Sequence, residues 1–288
     1  MKHQFEQLTP HIIIMHAEHE TDRPILAAIT GSRRTLLLDA GNSLEHANAF
    51  KAELERRGIR EPDILVLTHW HWDHSFGMHA WDIPTIAHTS TSDVLKRLAN
   101  LDWAESTLKS LIADGTINNE SAEHIRLEYG DPAKVRVIAP DIQFLERLKL
   151  ELGDVTCELV HVGGDHSIDS CVLHIQEDNV LFLGDALAPA IYGGPRRYRS
   201  TEFLRVLGLA YAYDASWYVE SHGTPMNGSD FRADLAPWEQ LAHTVDLIGR
   251  DRDKLVQELT ASLRLQELPP DLDEGINYFI AGLDEQIR

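Results

Sequence analysis

The apolar positions of this chain fall into short runs with a period near two, separated by turn residues, and such runs predict strands. Residues 11–15, 25–29 and 35–38 read as a meander of three strands, followed by the turn Asp39-Ala40-Gly41-Asn42. Apolar and charged residues then recur at helical spacing over 44–57, with Gly58 as the C-terminal cap. Leu65-Val66-Leu67 is a further strand, and Pro84-Thr85-Ile86-Ala87-His88 a short one. Ser92 opens a helix running to about Ile112, and a second helix lies near 120–128. This helical insertion, about 90–130, is either a lid or an ordinary covering helix pair. Segments 135–138, 143–150, 155–162, 171–176 and 180–183 alternate or run apolar, as strands of a second sheet would. A helix over 201–212, a strand over 217–220, a helix from about 230 to 264 and a last helix over 271–287 complete the pattern, making 230–288 a helical C-terminal region. No repeat or linker interrupts it, so a single α/β domain over 1–288 is expected, with helices on both outer faces of its sheets.

Candidate chemistry sits where strands end. The strand at 65–67 runs into Thr68-His69-Trp70-His71-Trp72-Asp73-His74, three histidines and an aspartate within six residues. His69 and His71, two apart on extended backbone, leave the same face, while Asp73 and His74 sit where the chain must turn. Imidazole and carboxylate suit zinc, and also iron or manganese. Three further strand-like runs end on the same residue types: 155–162 leads to Gly163-Gly164-Asp165-His166-Ser167, 180–183 to Gly184-Asp185, and 217–220 to Ser221-His222. Residues at strand C-termini project into the loops where ligands gather in layered α/β folds.

With these residues in place the chain resembles a metallo-β-lactamase-fold hydrolase, a superfamily marked by His-x-His-x-Asp-His followed by a single histidine, a single aspartate and a final histidine. The resemblance covers roughly residues 10–230 and fills every position: His69, His71, Asp73, His74, His166, Asp185 and His222. It implies an αββα sandwich of two mixed β-sheets flanked by helices. It implies two divalent metal ions, zinc foremost with manganese or iron as alternatives: one held by His69, His71 and His166, the other by Asp73, His74 and His222, with Asp185 bridging. Two departures stand out. The usual Gly-His-Thr-Pro-Gly-Ser is here Gly164-Asp165-His166-Ser167-Ile168-Asp169-Ser170, which lacks the proline and the following glycine, and Phe76-Gly77 keeps only the second of two glycines. Phe76 becomes a candidate for lining the pocket, and Asp39 is either a partner to a ligand histidine or an ordinary turn former.

Composition narrows the reading. The 288 residues carry 26 Lys plus Arg against 46 Asp plus Glu, a formal charge of −20, which disfavours nucleic acid and anionic membrane as partners and favours a small-molecule substrate. Cys157 and Cys171 read as reduced, buried thiols. No apolar run reaches signal-peptide or membrane-span length, so a cytoplasmic protein is expected. The oligomeric state is open, a homodimer being compatible.

A metal-bridging hydroxide attacking an ester, lactone or thioester is the expected chemistry, with phosphodiesters also open. Asp73 or Asp185 would carry the proton to the leaving group. Tyr192 is a candidate oxyanion donor or a packed tyrosine, and Arg196, Arg197 and Arg199 form a basic cluster that could receive a substrate carboxylate or phosphate, or simply a solvated loop. The presence of Asp185 with His74 argues against antibiotic hydrolysis within the superfamily. Two alternatives accompany this expectation: a mononuclear-iron persulfide dioxygenase using a subset of the ligands, and a non-catalytic metal-binding or sensor protein.

Overall fold

A computed structural model describes residues 3–283. Among them the chain forms, in order, strands β1 (Phe5–Gln7), β2 (Ile12–Met15), β3 (Leu26–Thr30) and β4 (Thr35–Leu38), helix α1 (Leu44–Arg56), β5 (Ile64–Val66), the single turn α2 (Trp72–Ser75), and β6 (Thr85–His88). Helices α3 (Thr89–Ala99), α4 (Glu105–Ala113) and α5 (Asn119–Tyr129) follow, then β7 (Ile142–Phe144), β8 (Arg147–Glu151), β9 (Thr156–His161), β10 (Cys171–Ile175) and β11 (Val180–Gly184). The last third holds α6 (Ser200–Ala212), β12 (Trp217–Glu220), β13 (Met226–Asn227), α7 (Gly228–Ile248), α8 (Arg252–Ser262) and α9 (Pro270–Gly282). One sheet runs β1 to β7 in sequence order, antiparallel up to β4 and parallel from there. The other runs β13-β12-β11-β10-β9-β8, with β11 and β12 parallel.

The layering follows from strands that are apolar on both faces, as strands buried on both sides must be. In β2, Ile13 and Met15 pack outward against the layer holding α1 and α3 to α5, while Ile12 and Ile14 pack inward against the second sheet. In β11, Leu181 and Leu183 face α6, α7 and α9, and Val180 and Phe182 face the first sheet. Both outer faces are therefore covered by helices, giving the expected αββα sandwich. Three parallel pairings in the first sheet and one in the second bring the carboxyl ends of β5, β11 and β12 to one edge, where the loops after them converge.

Several boundaries differ from expectation. The helix predicted over 92–112 is two helices, starting at Thr89 and broken at 100–104, where Trp103 turns in to 6 % exposure. Residues 135–138 alternate as a strand would, but Val135 and Val137 spend that alternation on the helical layer and no strand neighbour pairs with them. The run 143–150 is split between β7 and β8, which belong to different sheets. The helix predicted over 230–264 breaks at Gly249, whose φ of +76° ends α7, and Asp251 then caps α8 by accepting from Lys254 N at 3.2 Å. The short edge strands β1 and β13 carry too few residues to announce themselves by periodicity. The predicted last helix holds as far as Gly282, and its extension to 287 lies outside the described residues. Among the described residues no helix is long and apolar enough to cross a membrane, and Cys157 and Cys171 are buried free thiols.

Candidate metal centre

Hydrogen bonds aim one nitrogen of three of the site histidines, His69, His74 and His166, inward. Asp39, held in a left-handed conformation at φ +60° just after β4, accepts from Thr68 N at 2.8 Å, from Thr68 Oγ1 at 2.9 Å and from His74 Nδ1 at 2.8 Å. Asp39 is thus a partner of a site histidine, the reading left open with the turn former. Thr68 Oγ1, having donated to Asp39, accepts from His69 Nδ1 at 3.1 Å, and His166 Nδ1 donates to Pro189 O at 3.0 Å. Each of these histidines carries its proton on Nδ1 and presents the Nε2 lone pair to the centre of the cluster. His69 Nε2, His74 Nε2 and His166 Nε2 are all buried without a hydrogen-bond partner.

Two groups of side chains result, His69, His71 and His166 in one and Asp73, His74, Asp185 and His222 in the other; within each, the potential ligand atoms lie within 4.8 Å of one another. One oxygen ties the groups together. Asp185 Oδ2 lies 3.9, 3.2, 3.3 and 3.5 Å from Nε2 of His69, His74, His166 and His222. Burial and the neighbouring imidazoles push His69 and His71 well below the ordinary histidine range, leaving them neutral. Asp73 and Asp185 stay ionised: burial opposes this, but the surrounding histidines hold both well below the usual carboxylate range. His222 is pushed up to about 10 because the Asp185 and Asp73 carboxylates outweigh its burial. His74 is likewise held well above the ordinary histidine range by Asp73, Asp39 and Asp185, so a divalent cation would take the place of the protons on His74 and His222; imidazole nitrogens around ionised carboxylates are a donor set that fits such a cation, and these residues could hold metal ions.

The loop carrying His166 keeps its turn without the missing proline. Gly163 and Gly164 have φ of +62° and +128°, and Val162 N and Gly163 N both donate to Ser170 O. Asp169, which no spacing rule singles out, accepts from Trp70 N at 3.0 Å and Thr91 Oγ1 at 2.6 Å and so fastens this loop to the first motif.

A cavity of about 420 Å³ opens over the cluster, and Asp22, Glu120, Ser121, Arg196 and Glu220 line it beside the histidines. Asp22 and Glu220 were not picked out from sequence. Asp22 Oδ1 stands 3.7 Å from His222 Nδ1, and burial with the Asp73 charge raises it to about 6. Glu220 ends β12 two residues before His222, so the strand-end argument that found His222 could have found it; burial pushes it up to about 7.

The other candidates disperse. Tyr192 lays its ring against His71, centroids 4.6 Å apart, but its hydroxyl is bonded to Ser121 Oγ at 2.9 Å on α5. Arg196 pairs with Glu120 at the cavity wall, Arg197 Nη1 donates to the carbonyls of Tyr192 and Pro195 at 3.0 and 3.2 Å, and Arg199 binds Asp165 through Nε at 2.7 Å and its backbone N at 2.8 Å. The expected basic cluster is therefore three separate anchors. Phe76 does not line the cavity: it is 1 % exposed and packs edge-on against Trp103 at 5.1 Å, because the chain leaves α2 inward, toward the helical layer. Phe76→Ala is accordingly expected to cost about 3–5 kcal/mol of stability in denaturant unfolding while leaving KM unchanged.

A sequence model of the metallo-beta-lactamase superfamily matches residues 27–253. Among curated proteins, the chain is 24 % identical over 167 residues to the human acyl-coenzyme A thioesterase MBLAC2, covering 55 % of this chain and 56 % of that protein. It is 22 % identical over 252 residues to a linear primary-alkylsulfatase of a Pseudomonas strain, covering 81 % and 47 %. The chain thus spans about half the length of the curated relatives it matches. Among solved structures it resembles a metallo-beta-lactamase from Pontibacter korlensis, with a TM-score of 0.58, 18 % identity and coverage of 82 % of this chain and 98 % of that one. It also resembles the sec-alkylsulfatase Pisa1 from Pseudomonas, with a TM-score of 0.64, 14 % identity and coverage of 95 % and 47 %.

Proposed function

This chain belongs to the metallo-beta-lactamase superfamily, and we propose that it is a dinuclear metal-dependent hydrolase acting on an ester, lactone or thioester of a small molecule. The observation that carries the reading is the position of Asp185 Oδ2, within 3.9 Å of histidine nitrogens from both ligand groups, as a bridging carboxylate requires. His69, His71 and His166 would hold one ion, Asp73, His74 and His222 the second, and Asp185 both. Two divalent ions, zinc foremost, would supply Lewis acidity and an activated water when bound. Asp73, 3.1 Å from His222 Nε2 and at the cavity wall, is placed to carry a proton to the leaving group, and Asp39 with Thr68 keeps His69 and His74 in the tautomer that ligation needs.

Two relatives are in keeping with a small-molecule ester or thioester: one is named as an acyl-coenzyme A thioesterase and another as a linear primary-alkylsulfatase, and the −20 charge of this chain disfavours polynucleotides. The test is metal content per chain by elemental mass spectrometry on protein purified without chelator or added metal, paired with an ester, lactone, thioester and phosphodiester panel. About two ions per chain and turnover removed by a chelator are expected. A single iron with oxygen consumption, or full loading with no turnover, would overturn the proposal in favour of an oxygenase or a binding protein.

A further inference from the structure

The histidines of the centre differ in what stands behind them. His69 Nδ1 donates to the Thr68 hydroxyl and His166 Nδ1 to the Pro189 carbonyl, so these two imidazoles of the first ligand group lean on neutral acceptors. His74, in the second group, leans on a carboxylate, Asp39. His222, also in the second group, turns Nε2 inward, 3.1 Å from Asp73 Oδ2 and 3.5 Å from Asp185 Oδ2, which leaves Nδ1 on the outer side of its ring. The carboxylate that Nδ1 faces is Asp22, whose Oδ1 lies 3.7 Å away.

Asp22 reaches its place by the same backbone device as Asp39. Asp39 follows β4 at φ +60°, and Asp22 follows the 3₁₀ turn His19–Thr21 at φ +56° and ψ +43°. Aspartate and asparagine tolerate this left-handed conformation better than most residues with a side chain. The second oxygen, Oδ2, lies 3.6 Å from Nδ1 of His124 on α5, a nitrogen buried without a hydrogen-bond partner. The carboxylate therefore stands between two imidazoles, one from the metal cluster and one from the helical layer. Both separations lie just beyond the roughly 3.2 Å of a well-formed N–H···O bond, so a small movement of Asp22 completes the bond to His222. When one nitrogen of an imidazole ligates a cation, the N–H on the other becomes a stronger donor, and an acceptor there fixes the ring and raises its basicity. An anionic acceptor does so more strongly than a neutral one.

We propose that Asp22 is the positioning residue of His222, accepting from its Nδ1–H as Asp39 accepts from His74. Both imidazoles of the Asp73 group are then backed by carboxylates, one from each of two left-handed aspartates, and removal of Asp22 weakens one ion and not both. The ligand role of His222 rests on the dinuclear reading, but the contact between Asp22 and His222 stands or falls separately.

The experiment has a binding arm and a spectroscopic arm, both on the full chain. Zinc is titrated against a chromophoric chelator into metal-free wild type, Asp22→Ala and Asp22→Asn, and the melting temperature of each metal-free protein is recorded. Asp22→Ala should weaken one of two binding steps by about 10–100-fold, the range for loss of a group that orients a metal ligand, and leave the other step unchanged. Asp22→Asn keeps the left-handed backbone and an acceptor oxygen but loses the charge, so it should recover part of that loss at a wild-type melting temperature. A merely structural role would weaken both steps alike and lower the metal-free melting temperature of both variants; that result overturns the proposal, as does unchanged zinc affinity in Asp22→Ala. In the spectroscopic arm, magnetic resonance of protein with nitrogen-labelled histidine follows the His222 Nδ1–H proton, assigned by its absence from His222→Gln. In the zinc-loaded wild type it should be slow to exchange with water, and in Asp22→Ala it should exchange faster and shift. A wild type that takes up fewer than two ions removes the dinuclear reading, and the same proton at the loading reached then decides the contact: indifference to Asp22→Ala overturns it. Two ions with an indifferent proton remove the role of Asp22 and leave the dinuclear reading standing.

Discussion

Asp185→Ala is expected to lower hydrolysis by on the order of 10²–10⁴-fold, the range observed when a positioned catalytic group is removed, and to drop metal content from two ions per chain toward one. Asp185 Oδ2 is the atom that approaches histidines of both ligand groups, and no neighbouring side chain can take its place: Asp73 reaches His74 and His222 at 2.9 and 3.1 Å and belongs to one group only. Loss of a residue that merely orients a metal ligand costs about 10–100-fold in affinity, and loss of a direct bridge should exceed it. Asp39→Ala supplies the comparison. It removes the acceptor for His74 Nδ1 without touching the cluster centre, so it should fall within that 10–100-fold range in metal affinity. Elemental analysis and a metal titration of the two variants separate the roles. An Asp185→Ala protein that retains two ions would remove the bridging assignment.

The second large effect lies away from the chemistry. Arg23 and Glu128 form a bidentate pair, Nη2 to Oε1 at 2.7 Å and Nε to Oε2 at 3.1 Å, with side chains 3 % and 1 % exposed. The Ser43 hydroxyl that caps α1 also donates to Glu128, while Asn42 Nδ2 donates to Thr21 O at 2.8 Å and Tyr129 OH to Asn42 O at 2.9 Å. This network ties the segment before β3, the start of α1 and the end of α5 into one unit beside Asp22. Arg23→Ala strands a buried carboxylate and is expected to cost about 3–5 kcal/mol, a fall in Tm of roughly 6–20 °C for a chain of this size. Burial alone would raise Glu128, but the Arg23 and Ser43 hydrogen bonds hold it below the ordinary carboxylate range. Its contribution is therefore present at and above the unfolded carboxylate value, about 4.3, and is lost as pH falls through the depressed folded value. Glu128→Gln should flatten the acid limb of the stability curve in that window and leave the neutral region parallel to wild type. Urea unfolding between pH 3 and 7 reads both.

The candidate metal-ligating side chains were legible because each lies within a few residues of a strand end, where local pattern and chemical type coincide. His69 to His74, Asp185 and His222 all follow runs such as Leu65-Val66-Leu67 whose burial on both faces leaves an unbroken apolar signature. The strands β1 and β13, of three and two residues, lack the length to show a period. Val135 and Val137 show one and form no strand, since alternation reports burial on one side and not the presence of a partner. What failed at the site was direction. Phe76 turns into the core, whereas Arg196 reaches the cavity wall and pairs there with Glu120; which way a side chain goes depends on how the loop leaves its strand, and no spacing rule encodes that. Asp22 reaches the cavity through tertiary proximity and carries no motif at all, whereas Glu220 ends a strand as the other site residues do.

Besides the apolar core they share, the two sheets are joined near the site by hydrogen bonds: Cys171 N donates to Thr68 O at 2.8 Å, Trp70 N to Asp169, and Ile25 N to Ser221 O at 2.7 Å. Thr68 also packs against Gly184, where an added Cβ would lie 2.9 Å from the threonine Cβ. Four of the ligand residues, His69 to His74, hang from the first sheet and three, His166, Asp185 and His222, from the second, and each ligand group draws on both. Neither half owns a complete coordination sphere. On the dinuclear reading, affinity for the ions would report how well the halves are docked, and bound ions would act as a clasp whose grip adds to the docking energy by mass action. A substitution along the seam, far from any ligand, should then surface both as a weakened hold on metal and, through the same linkage, as a lower melting temperature of the loaded protein.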